Sequence, residues 1–204
     1  MKTIRYVILI AIPLMLMFSN CSSDDNDPEP EINLLTTEEK NSLIFMLEEE
    51  KLARDVYDFL NETWNSTVFQ NIRQSEQSHM DAIIKVLDYY DISYSITASG
   101  IFNNQDLQKL YNQLVNIGES SLLQANVVGA TIEDLDIKDL ELNMQNLNNS
   151  MILGVYSSLQ CGSENHLRSF NTQLNLMSYD YSPQYISESL FKTIIESPNE
   201  SCNN

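Results

Sequence analysis

The sequence predicts an all-α protein: a four-helix bundle with an extra short helix before the third long helix and a small C-terminal helix. Three observations predict it. No proline occurs between Glu31 and Ser182, and proline is the residue that most reliably interrupts a helix. Apolar residues recur at a period near 3.6 along four segments, while strand-type alternation is hard to find. Capping residues and a glycine punctuate those segments at short intervals, which suits helices that pack beside their neighbours in sequence.

The elements follow in order. Residues 1–20 read as an export signal. Lys2 and Arg5 precede an apolar run from Tyr6 to Phe18 that Pro13 interrupts, too short for a comfortable membrane span. Phe18-Ser19-Asn20-Cys21 then resembles the cleavage box of bacterial lipoproteins, which implies acylation at Cys21, a lipid anchor in the membrane and a place in the cell envelope. Phe18 and Asn20 depart from the Leu and the Gly or Ala usual in that box. Residues 21–35 are polar and acidic with two prolines, a flexible tether. The helical domain takes residues 36–196.

Thr36 or Thr37 caps the first helix, with Glu38 and Glu39 in its first turn, and it runs to about Trp64. The second spans about Val68 to Tyr90. After a loop containing Gly100, a short helix from Asp106 to Ile117 ends at Gly118, read as its C-cap. The third long helix begins at Ser120 or Ser121 and reaches about Leu147. The fourth runs from about Ser150 to Met177. Ser187 to Glu196 is the terminal helix, and residues 197–204 read as a disordered tail. Cys202 lies in that polar tail, so a disulfide with Cys161 is not expected.

The inward stripe of each long helix is broken near its middle by polar residues. Glu50 breaks the stripe of the first helix between Leu47 and Ala53. Glu76 and His79 break the second between Ile72 and Ile83. Glu133 and Asp136 break the third, Ser163 and His166 the fourth. His79 and His166 are the chain's two histidines. Carboxylates are costly to bury unless paired or bound to metal, and Glu-x-x-His at i, i+3 puts both groups on one helical face. Any one of these residues alone reads best as a satisfied core histidine or a solvated glutamate. Together they suggest a metal site inside the bundle, with Glu50, Glu76, His79, Glu133 and His166 as ligands and Asp136 as a further candidate. Carboxylates with imidazoles suit iron or manganese, one or two ions per chain. Arg54 and Tyr57 are candidates to hold the ligand carboxylates from behind.

Composition narrows the alternatives. The chain of 204 residues has 29 acidic and 11 basic side chains and a net charge of −18. Loss of the leader would leave 9 basic residues and a net charge of −20. That balance excludes a nucleic-acid partner, which needs basic patches. Gly-rich phosphate loops, paired-cysteine motifs and nucleophile–histidine–acid signatures are all missing from the sequence.

Four ordered motifs resemble a known family. Glu48-Glu49-Glu50-Lys51-Leu52-Ala53-Arg54-Asp55-Val56-Tyr57, the segments Phe69–Met80 and Val128–Ile137, and Gly162-Ser163-Glu164-Asn165-His166-Leu167-Arg168-Ser169-Phe170 are similar to the DUF2202 family of ferritin-like proteins. The resemblance covers roughly residues 36–196. Glu50 to Tyr57 also looks like the Glu-x-x-Ala-Arg-x-x-Tyr of rubrerythrin's first helix, which singles out Glu50 rather than Glu48 or Glu49 as the ligand. Ser163 departs from the ferritin-like pattern, where a glutamate would stand three residues before His166. Asp136 is the candidate replacement.

The expectation is an exported ferritin-like protein with a di-iron or di-manganese carboxylate centre, an oxidoreductase acting on oxygen, peroxide or Fe(II). The alternative is a lipid-anchored envelope binding module with a structural metal or none. The sequence fixes no oligomeric state, and a dimer is compatible with it. A lipid anchor makes a storage shell awkward.

Overall fold

The computed structural model describes residues 34–202. The export signal, Cys21 and all but the last two residues of the tether lie outside the described residues. Six helices and no strand form among the described residues: α1 Thr37–Trp64, α2 Thr67–Tyr89, α3 Gln105–Gly118, α4 Leu122–Asn146, α5 Ser150–Leu176 and α6 Glu188–Glu196. None of them is long and apolar enough to cross a membrane.

Local chemistry sets the boundaries. Thr36 and Glu39 form a reciprocal capping box at the start of α1, satisfying two N–H groups that the helix leaves open. The second carboxylate oxygen of Glu39 accepts from the Asn149 N–H at 3.1 Å, tying the start of α1 to the α4–α5 turn. Asn104, Ser121, Asn149 and Ser187 cap α3, α4, α5 and α6 through their side chains. Gly118 is not a left-handed C-cap. It is the last residue of α3, and a Cβ there would come within 2.6 Å of the Leu60 side chain. Its service is close packing of α3 on α1, with its carbonyl accepting from the Trp64 indole at 2.9 Å.

The helices pack as two pairs, α1 with α2 and α4 with α5, joined by the crossover that contains α3. Contacts between α2 and α5 and between α1 and α4 close the bundle, α3 lies against α1 and α4, and α6 against α5. The inward stripes are buried: Leu43, Met46, Leu47, Glu50, Ala53, Tyr57 and Leu60 on α1, Phe69, Ile72, Glu76, His79, Ile83 and Leu87 on α2, and Ile152, Tyr156, Leu159, Ser163, His166, Phe170 and Leu174 on α5. On α4 the stripe is buried from Asn126 onward, with Leu122 half-buried. Two apolar clusters result. One gathers Val56, Tyr57, Phe69 and Phe170, the other Leu43, Met46, Ile83, Leu87 and Ile152. The polar interruptions fall between them.

Two features depart from the sequence reading. The α2–α3 connection crosses the outer face of α1, where Glu48, Lys51 and Asp55 are buried as well as the stripe. Lys51 bonds Asp55 at 2.6 Å and the carbonyls of Ala98 and Ile101, while Glu48 accepts the N–H groups of Asn103 and Asn104 at 2.7 and 2.9 Å. These charges fasten the crossover. The C-terminal segment is also ordered through residue 202. Cys161 and Cys202 form a disulfide, contrary to the expectation from the polar tail. The buried Arg168 binds the Ile194 carbonyl and the Ser197 hydroxyl, both at 2.8 Å, and Asn165 exchanges two hydrogen bonds with the Glu200 backbone. The tail's polarity misled because its backbone and hydroxyl groups bond polar side chains on α5 rather than the core.

Candidate metal centre

Four helices each deliver a carboxylate or imidazole to the space between the two apolar clusters. Glu50 comes from α1, Glu76 and His79 from α2, Glu133 from α4 and His166 from α5. All are buried. Glu76 stands at the middle. One of its oxygens is 2.9 Å from His79 Nδ1, and the other is 2.8 Å from His166 Nδ1. Glu50 completes the first side at 3.1 Å from His79 Nδ1, and Glu133 the second at 3.3 Å from His166 Nδ1. The result is two triads, Glu50–Glu76–His79 and Glu76–Glu133–His166, each with ligand atoms within 4.8 Å of one another and with Glu76 in common. The imidazoles stack with centroids 5.5 Å apart.

Neighbouring residues shape these groups. Tyr57 Oη donates to Glu133 at 2.5 Å, which orients the carboxylate from behind. Gly162 leaves room for His79, because a Cβ there would lie 2.5 Å from His79 Nε2. Sequence reasoning missed that role. The available signal was a glycine inside a helix, four residues before a stripe histidine, where glycine costs helix stability unless a close approach needs it. Arg54 does not reach the ligand carboxylates as expected. It bonds Asp55 at 3.0 and 2.7 Å and Gln77 at 2.8 Å, because its position on α1 points toward α2 and the crossover. Tyr156 pairs with Ser42 at 2.8 Å, away from the triads. Ser163 donates to Asp136. Asp136 therefore lies in the same buried cluster but in neither triad, with its other oxygen unpartnered. Glu164 turns outward to Arg168 at 3.4 Å.

The electrostatics follow from burial and crowding. Burial raises the Glu50 carboxyl well above its ordinary range, and Asp136 adds to the rise. Burial likewise raises Glu133 and pushes Asp136 up to about 7. Glu76 is the exception. Burial works against its ionisation, but His166 and His79 together outweigh burial and hold its carboxyl below the usual range. Burial disfavours both imidazolium ions, yet Glu50 and Glu76 raise His79 well above its ordinary value, while Glu76 and Glu133 raise His166 to about 10.

The array is short of positive charge. Two imidazolium ions face Glu50, Glu76, Glu133 and Asp136. Oxygens of Glu50, Glu76 and Asp136 are buried without a hydrogen-bond donor, a costly state in a low-dielectric interior. Glu76 Oε1 lacks a hydrogen bond although His166 Nδ1 is 2.8 Å away. The two atoms are close but not aligned as an N–H donor and its acceptor. Oxygen and imidazole donors gathered in this way fit divalent cations of the first transition row, and four ionised carboxylates would balance two such ions.

Fold and site define a helical-bundle protein carrying two adjoining carboxylate–histidine groups able to hold metal. The chain belongs to the DUF2202 family: the model described as "Uncharacterized protein domain (DUF2202)" matches residues 39–198. A relative, the uncharacterized protein MJ0754 of Methanocaldococcus jannaschii, is 46% identical over 168 residues, covering 81% of this chain and 91% of the relative. The crystal structure of that hypothetical protein superposes with a TM-score of 0.80, covering 81% of this chain and 96% of the other. The helical-bundle architecture is thereby established at substantial sequence identity, and the relative is archaeal.

Proposed function

We propose that the chain is an exported, ferritin-like metalloprotein whose bundle holds two iron or manganese ions and acts as an oxidoreductase on oxygen, peroxide or Fe(II). The sharing of Glu76 by two triads carries this reading. A carboxylate that presents one oxygen to each of two ligand sets suits a pair of neighbouring ions better than a single structural ion. Glu50 and His79 would hold the first ion, Glu133 and His166 the second, and Glu76 both. The ions would supply electrons to the oxidant and take them back from a donor. Tyr57 holds Glu133 in place, the two apolar clusters wall the site along the bundle, and a cavity of about 540 Å³ borders both histidines. The ferritin-like assignment draws support from two helix pairs joined by one long crossover.

Export draws support from the Cys161–Cys202 disulfide, since such bonds persist in oxidising compartments. Anchoring at Cys21 rests on the sequence pattern, and the mass of the purified mature N-terminus tests it. The second reading is an envelope binding module with a structural metal. Ser163 favours it, because the hydroxyl occupies the place of a carboxylate and engages Asp136.

Oxygen and peroxide consumption by chelator-stripped protein reloaded anaerobically with Fe(II) separates the two. The redox reading expects consumption that disappears in Glu76→Ala. Two bound ions without consumption would support the binding module.

A further inference from the structure

Glu49 is a buried acid outside both triads and outside the fastening of the crossover. Glu49 on α1 is 4% exposed, and neither of its carboxylate oxygens has a hydrogen-bond donor. Its charged neighbours are themselves acids: Asp136 and Asp139 on α4, and Glu50. A small enclosed cavity of about 10 Å³ lies against this group. Its polar lining is Glu49, Glu50, Glu76, Glu133 and Asp136, and neither histidine borders it. The remaining walls are apolar, among them Leu110 and Leu135. It therefore sits on the side of the carboxylate array away from the imidazoles, and it has room for about one water-sized particle.

Five oxygens of the lining residues lack a donor: both of Glu49 and one each of Glu50, Glu76 and Asp136. A single water can donate to two of them, and the apolar walls donate to none. A cation held between Glu49 and Asp136 would meet donorless oxygens of both and offset the crowding of like charge.

We infer that Glu49 and Asp136 form a third cation position, weaker than the two triads and adjoining them on the α1–α4 side, which takes a hard divalent ion such as Mn(II). Asp139, half-buried beside Glu49, marks its outer edge. This rests on the two-ion reading of the triads but assigns a residue that neither triad uses.

The test is equilibrium titration of the chelator-stripped full chain with Mn(II), free ion being read by electron paramagnetic resonance. The wild type should take up two ions tightly and a third at least about tenfold more weakly, a gap of 1.4 kcal/mol. Glu49→Gln keeps shape and removes the charge, so it should keep the two tight ions and lose the third. Circular dichroism checks that the variant folds. Two ions in the wild type with an unchanged isotherm in Glu49→Gln would overturn this inference alone and identify Glu49 as a protonated partner of Asp139. No uptake by the wild type would overturn the two-ion reading together with it.

Discussion

Glu76 and Glu49 are both buried glutamates, yet their surroundings give them opposite consequences. Glu76 faces two imidazoles at 2.9 and 2.8 Å, whereas Glu49 faces other acids. Removing one partner of a buried ion pair strands the other. Glu76→Gln should therefore destabilise the metal-free chain by about 3–5 kcal/mol, measured by urea unfolding in chelator. The same substitution at Glu49 should leave stability unchanged or raise it. The pH dependence follows from the same groups. His79 and His166 are raised in the fold, so their contribution is complete below their ordinary value of 6.5 and lost as pH climbs, for His166 through about 10. Asp136, raised from 3.8 to about 7, also loses its contribution across that interval. Within the buried cluster Glu76, held low, contributes in the other direction, through stability lost on acidification below its ordinary 4.5. The metal-free melting temperature should fall steadily from pH 5 to pH 9, and metal affinity should rise over the same range as binding displaces protons. A flat or rising melting curve would contradict these assignments. Glu50, Glu76, Glu133 and the histidines were legible in the sequence because each interrupts an apolar stripe. Glu49 was not, because it lies off the stripe, on the side of α1 that meets α4, and its burial comes from packing between elements that no helical period encodes.

At the scale of elements, the long helices were legible to within about two residues because caps and period agreed. What escaped were contacts between elements. Gly162 lets α5 approach α2 closely enough for the His79 ring. Gly162→Ala should displace that imidazole, costing about 1–3 kcal/mol of stability and lowering metal affinity, with melting temperature and metal content as the readouts. The C-terminal segment is a second case. Its disulfide spans a separation of 41 residues, and closing a loop of that length stabilises by about 4 kcal/mol in the chain-entropy account. The double variant Cys161→Ser, Cys202→Ser should lose up to that amount in denaturant unfolding. Helical content should stay intact, because Arg168 and Asn165 continue to hold the segment.

Across the whole molecule, two helix pairs separated by a crossover place four mid-helix ligand sets at one level of the bundle. The absence of proline and the regular stripes were enough to foresee that architecture. They could not foresee that Ser163 would engage Asp136 and leave Glu76 as the only carboxylate common to both triads. The central claim is that this level of the bundle holds two metal ions. Elemental analysis of the full chain purified without chelator, beside the double variant Glu76→Ala, His79→Ala, tests it most directly. The wild type should carry two tightly bound iron or manganese ions per chain and the folded variant close to none. A wild type without bound transition metal, or equal metal content in the variant, would contradict it.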